Sequence, residues 1–266
     1  MKAILKATII FCMISYFNGD RVIKLSGKPE LFTTDKLGNC YVFKDNVLTK
    51  FALDGKTSLQ YTSFESGRLF SIDASDPMQL LLFYKDFNQV VFLDNKLNPI
   101  GKPVYLDLID LSTVSAVCKS KQFAIWIYDE YEHKLIQYGF NTKSIKQTIN
   151  LDKLNKNIGA IEFMIESGNE IYMNEKNKNI WVFDEFGNKL NSIGLAISKD
   201  FQLRNKMLIF NDNNKIFKYN IQTSEKDSSE AEGFGHFDLA RIENELLYVL
   251  NSDSVTLIPF GGTKKY

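Results

Sequence analysis

Residues 81–101 read "LLFYKDFNQVVFLDNKLNPIG". Two runs rich in Leu, Val and Phe flank a short polar tip, "YKDFNQ", and Asp94-Asn95 follows the second run. β-Branched and aromatic runs punctuated by Asp, Asn and Gly are the signature of two strands joined by a hairpin. The same pattern recurs along the chain. The first strands of the six units are "CYVF", "LLFY", "IWIY", "IYMN", "LIFN" and "LYVL". The second strands are "VLTKFALDG", "VVFLDNK", "KLIQYGFN", "IWVFDEFGNK", "KIFKYNIQ" and "SVTLIPFGG". Taking Tyr41, Leu82, Trp126, Tyr172, Ile209 and Tyr248 as equivalent, the intervals are 41, 44, 46, 37 and 39 residues. An all-strand repeat of that length predicts an all-β fold, a six-bladed β-propeller with one unit per blade. An open sandwich or a five-bladed ring fits the regular spacing less well.

A blade needs four strands. The innermost ones are predicted at "ELFTT", "RLFSID", "VSAVCK", "AIEFMI", "AISKDF" and "HFDLAR", and outer strands at segments such as "SLQYTS" and "KQTINL". The sixth unit runs out of chain after its third strand, near Pro259. "RVIKL" (21–25) is expected to supply the missing outer strand and so cover an edge that an open ring would expose. The prolines, five in all, spare the central strands.

The first residues carry a different signal. "MKAILKATIIFCMISYFNG" (1–19) has Lys2 and Lys6 ahead of an apolar stretch from Ala7 to Phe17. That pattern predicts a secretory signal peptide over 1–19 and a single propeller domain over 20–266, exported from the cytoplasm. Phe17 is bulky for the −3 position, and Phe11 before Cys12 does not fit a lipobox. The whole chain has 32 basic and 32 acidic residues, and loss of Lys2 and Lys6 leaves 30 against 32. So balanced a charge gives no field that would gather nucleic acid or an anionic membrane. Of the three cysteines, Cys40 and Cys118 remain after the leader, at no metal-like or CxxC spacing, and read as buried free thiols in blades that do not touch.

No catalytic signature stands out. His133 and His236 are far apart and lack a spaced nucleophile or carboxylate. "NDNNK" (211–215) lacks the Gly and closing Glu of a calcium loop and reads as a hairpin turn. "GFG" (233–235) lacks the strand-then-helix setting of a phosphate cradle, and "SEKDSSEAEG" (224–233) reads as a solvated outer edge. The enzymatic alternative is a metal-dependent, lactonase-like hydrolase in which Asp35, Asp73 and Glu166, near the ends of innermost strands, surround the channel. The favoured expectation is a protein that is not an enzyme and takes no metal, cofactor or small-molecule substrate.

The hairpins between second and third strands read "KDN", "YKDFNQ", "YDEYEHK", "NEKNKN", "NDNN" and "NSDS". Four are wholly polar. Those of blades two and three carry Tyr84, Phe87, Tyr128 and Tyr131, aromatics among charges of the kind that anchor protein interfaces. These four are the candidate partner-binding residues, although Tyr84 and Tyr128 also continue their strands.

At "LLFYKDFNQVVFLDNKLNPIG" and "LFTTDKLGNCYVF" (31–43) the mature chain resembles a family of exported β-propeller proteins from bacteria that use the type IX secretion system. One member of that family is the plug subunit that seals the periplasmic side of the type IX translocon. The resemblance implies a periplasmic, non-enzymatic protein, held at the outer membrane by a protein-translocation barrel. It carries over no individual residue. A periplasmic propeller scaffold with a different partner is its sibling reading.

Overall fold

In the computed structural model, residues 21–63, 67–121, 123–153, 158–198, 200–230 and 236–260 are described. They form six antiparallel four-stranded sheets and no α-helix. The signal-peptide segment and "GFG" lie outside the described residues.

Blade one is Leu31–Thr34, Cys40–Lys44, Val47–Phe51 and Ser58–Thr62, from the axis outward. Blade two is Ser71–Asp73, Gln79–Tyr84, Gln89–Asp94 and the short Val104–Tyr105. Blade three is Val114–Ser120, Ala124–Asp129, Lys134–Gly139 and Ser144–Asn150. Blade four is Ile161–Ser167, Glu170–Glu175, Asn179–Asp184 and Lys189–Ile193. Blade five is Gln202–Arg204, Met207–Asp212, Lys215–Asn220 and Lys226–Glu230. The sixth sheet takes Leu239–Glu243, Leu246–Asn251 and Ser254–Pro259 from the end of the chain, and its outer strand, Arg21–Lys24, from the start. Arg21 faces Leu257 and Lys24 faces Ser254 in that pairing.

There is no single core. Six apolar clusters lie between successive blades, including the one where blade six meets blade one. Each middle strand is therefore covered on both faces, which is why these runs are nearly continuous in apolar residues. Polar stitches cross the same interfaces. Trp126 Nε1 donates to Glu166 Oε2 at 2.7 Å, Tyr248 Oη to Gly38 O at 2.7 Å, and Asn211 Nδ2 to Ala240 O at 2.8 Å. Cys40 and Cys118 are buried free thiols in separate clusters. Burial first, and then the charge of Asp35, pushes the Cys40 thiol up to about 12, which leaves it protonated and inert.

Turn chemistry repeats as well. Asp35, Asp94 and Asp184 each accept the N–H groups two and four residues on through Oδ1, and an Asn Nδ2 through Oδ2. The third residue after each Asp has positive φ: Gly38 at 84°, Gly187 at 86° and Leu97 at 64°. Leu97 tolerates the left-handed conformation because its side chain is buried against blade one. In "NDNNK", Asn213 and Asn214 both have positive φ (45° and 60°), the geometry of a tight two-residue hairpin.

Three details depart from the expected strand positions. The residue of blade two equivalent to Tyr41 and Trp126 is Leu81, not Leu82. Leu81 and Phe83 pack toward blade three, whereas Leu80, Leu82 and Tyr84 pack toward blade one. Because "QLLLFY" is apolar on both faces, no alternation marks its register. The fifth innermost strand is Gln202–Arg204 rather than "AISKDF" (196–201). Ile197 and Phe201 instead fill the core between blades four and five from the connecting segment. The sixth, Leu239–Glu243, begins three residues later than "HFDLAR" (236–241).

Candidate functional site

Antiparallel order places all hairpins between second and third strands, with the blade-to-blade connections, at one end of the molecule. The turns between first and second strands lie at the other end. The four aromatics proposed for a partner divide sharply there. Tyr84 and Tyr128 are 2% and 0% exposed and belong to inter-blade cores. They cannot meet a partner, and this corrects the expectation. Their positions as last apolar residues of second strands commit their rings to the neighbouring blade. Burial pushes both phenols above their ordinary pKa, with Tyr61 adding to it at Tyr84 and nearby carboxylates adding to it at Tyr128. Phe87 and Tyr131, at the hairpin tips, are 53% and 77% exposed. One side of the Phe87 ring lies against Gly67, where a Cβ would clash with it. The other side is open.

The structure adds two residues to this face. Leu108, in the single 3-10 turn Leu106–Ile109 between blades two and three, is 81% exposed, and Tyr105 just before it is 47% exposed. In "VYLDLID" (104–110) five of the seven residues are apolar, which continues the run as if in a strand. The turn instead buries Leu106 completely and turns Leu108 outward.

Hydrogen bonds lock the three segments into one platform. Asn88, at φ 43°, accepts from Leu106 N through its carbonyl at 2.8 Å. Its Nδ2 donates to Asp107 Oδ1 at 2.7 Å and to Ser112 O at 2.9 Å. Next along the chain, Thr113 Oγ1 donates to Asp129 Oδ1 at 2.6 Å, and Glu130 N donates to Thr113 O at 3.0 Å. That same Asp129 oxygen accepts from Tyr131 N and Glu132 N, both at 3.0 Å. Phe87, Leu108 and Tyr131 are thus exposed on segments braced to one another, with Lys85, Asp86, Asp107, Glu130 and Glu132 as their neighbours in sequence. Asn88→Ala removes the brace and leaves buried carbonyls without donors. The expected cost is about 1–3 kcal/mol, read as a lower melting midpoint together with faster proteolysis within 85–113. Unchanged values for both would show that the brace is dispensable.

At the opposite end, the channel mouth widens into a cavity of about 460 Å³. Asp73 and Glu166 line it, but Asp35 does not. Asp35 is 1% exposed, and its carboxylate is taken by the turn and by Tyr41 Oη at 2.7 Å. That removes it from the set of channel acids. Asp73 accepts from Ser75 N at 2.9 Å and from Lys119 N at 2.8 Å. Among the described residues, no three His, Cys, Asp or Glu side chains converge on one point. The remaining wall is built by blades one, five and six. There, Gln202 Nε2 donates to Glu243 Oε1 at 2.8 Å, Arg204 Nη1 donates to Ile242 O at 3.0 Å, and Arg241 pairs with Asp200. Burial holds the Arg241 guanidinium down to about 10 and lifts the Glu243 carboxyl above its ordinary value.

Neither a protein-family model nor a curated protein matches the chain. Solved structures do. A catalytically inactive variant of virginiamycin B lyase from Staphylococcus aureus, with quinupristin, aligns with TM-score 0.62 and 13% identity over 91% of this chain and 99% of its own. A streptogramin B lyase aligns with TM-score 0.62 and 13% identity over 91% and 97%. BamB from Moraxella catarrhalis aligns more distantly, with TM-score 0.44 and 10% identity over 86% and 72%. Identity this low shows the shared propeller fold and transfers no residue or activity. It does correct the expectation that the protein is not an enzyme. The frame it shares belongs in two of these structures to lyases, so a missing sequence motif is no ground for excluding catalysis.

Proposed function

We propose that the chain is an exported periplasmic propeller that docks on an outer-membrane protein-translocation barrel, and that it is the plug on the periplasmic side of the type IX translocon. The observation that supports docking is the braced apolar patch of Phe87, Tyr105, Leu108 and Tyr131, set among charges on one end of the disc. Aromatics held rigidly at an interface centre lose little conformational entropy on binding, and such residues dominate binding energy. The resemblance to exported propellers of type IX-secreting bacteria supports the choice of partner. A seal must also release, and a patch of a few anchors with charged neighbours in sequence suits a moderate, reversible interface better than an obligate one.

The experiment is affinity purification of the tagged protein from its native envelope, comparing wild type with Phe87→Ser/Tyr131→Ser. The expected result is a very large outer-membrane barrel retained by wild type and weakened by more than about 30-fold in the double variant. The melting midpoint should stay within a few degrees, because neither side chain is in a core. Equal capture by the variant would remove the patch from the interface. Capture of a different envelope protein would replace the barrel as partner.

A further inference from the structure

We infer that the cavity at the channel mouth is a binding site for a small zwitterion, an amino acid or short peptide, with its carboxylate toward Arg204 and Arg241 and its ammonium toward Glu166 and Asp73. This is a second site, at the opposite end from the docking patch. Its lining includes residues just past the innermost strands, such as Ser75, Asn205 and Asn244.

Among the described residues, six charged side chains line the cavity, including Lys36 of blade one and Glu243 of blade six, which lies beside the arginines. Arg204 and Arg241 come from adjacent blades five and six, while Asp73 and Glu166 come from blades two and four. Each side has unused hydrogen-bonding capacity. Arg204 donates to Ile242 O and joins no carboxylate in an ion pair among the described residues. Arg241 is 7% exposed and pairs with Asp200, yet its Nε–H has no acceptor among the described residues. The Nε–H is closed off, so any ligand oxygen in the cavity would meet the outer guanidinium nitrogens of Arg204 and Arg241, groups suited to carboxylates. The nearby Glu243 is already held by Thr34 Oγ1 and Gln202 Nε2.

Across the cavity, Glu166 Oε2 is taken by Trp126 Nε1, and Oε1 has no protein donor among the described residues. Asp73 is held by two backbone N–H groups, which fix its carboxylate in direction. A cavity of about 460 Å³ is larger than a lone ion needs and falls within the range that encloses small organic ligands. Charged groups of both signs around one cavity select a ligand with opposite charges at its two ends over an apolar one or a simple anion.

The test is isothermal titration of the mature full-length protein with L-alanyl-L-alanine, alongside sodium acetate and methylammonium chloride, repeated on Arg204→Gln and Glu166→Gln. Glu166→Gln keeps an oxygen for Trp126 Nε1, so it reports on charge without breaking the blade interface. The expected result is saturable binding of the dipeptide, weaker by at least about tenfold in each variant, with either single ion at least about tenfold weaker than the dipeptide. No saturable binding by wild type overturns the inference. So does binding that both variants retain in full. Acetate binding as tightly as the dipeptide, with loss only in Arg204→Gln, makes it a plain anion site and overturns the zwitterion.

Discussion

Deleting residues 20–27 is expected to lower the melting midpoint by on the order of 10 °C. Arg21–Lys24 forms the outer strand of blade six, paired with Ser254–Leu257. Leu25 N continues the ladder to Asp253 O at 2.7 Å, and Arg21 bonds Leu53 O on blade one. Ile23 is 3% exposed in the cluster that includes Cys40, Val255 and Leu257, at the seam between the last blade and the first. Burying one Ile is worth about 2–3 kcal/mol, and the lost ladder bonds and exposed edge add to that. For a domain of this size, each kcal/mol moves the midpoint by roughly 2–4 °C. The bare edge of Ser254–Pro259 should also promote association at high concentration. Ile23→Ala isolates the packing share, at about 2–5 kcal/mol. Calorimetry of both variants decides the matter: a deletion that melts within two or three degrees of wild type, and stays monomeric, would mean that the seam holds without this strand.

Glu175→Ala is expected to cost about 2–4 kcal/mol. Glu175 ends the second strand of that blade and is 2% exposed. Its Oε1 accepts from Gly159 N at 3.0 Å and Lys178 Nζ at 2.7 Å, and its Oε2 accepts from Trp181 Nε1 at 2.9 Å. Truncation strands the indole N–H and a backbone N–H in the core. Glu175→Gln keeps acceptor capacity and should recover part of the loss. Burial by itself would raise the Glu175 pKa, but the bonds from Lys178, Trp181 and Gly159 outweigh it and hold the carboxyl below its usual range. A group depressed in the folded state contributes stability that is present above its unfolded value, ordinarily about 4.3, and is lost as pH falls through the folded value. The gap between wild type and Glu175→Gln in urea titrations should therefore be full at pH 7 and narrow progressively below about pH 4. A gap that does not change with pH would assign the effect to shape rather than charge.

Much of the architecture was legible because propeller blades are built from local signals. Strand and hairpin chemistry is confined to a few neighbouring residues: Asp94 folds the chain back on Asn98, and Asn213-Asn214 turns tightly, with little help from elsewhere. The candidate surface was only half legible. Phe87 and Tyr131 betray themselves by being aromatic within polar tips. Leu108 was missed because "VYLDLID" is apolar at five of its seven positions with no period to mark the outward one, and only the 3-10 turn, locked by Asn88, turns Leu108 outward. Tyr84 and Tyr128 continue their strands in sequence, and a neighbouring blade buries them.

The sequence by itself determined six strand-rich repeats, their turns and the near-neutral charge, because short β-branched and aromatic runs and Asp, Asn and Gly turn preferences act over a few residues. Only the tertiary structure decided the register of Leu81 against Leu82, the fate of each aromatic, and the meeting of Arg204, Arg241, Glu166 and Asp73 around one cavity. The physical reason is that blade packing is a non-local contact. Which face of a doubly apolar strand meets which neighbour, and which strand ends converge on the axis, is settled when six separately legible sheets close into a ring.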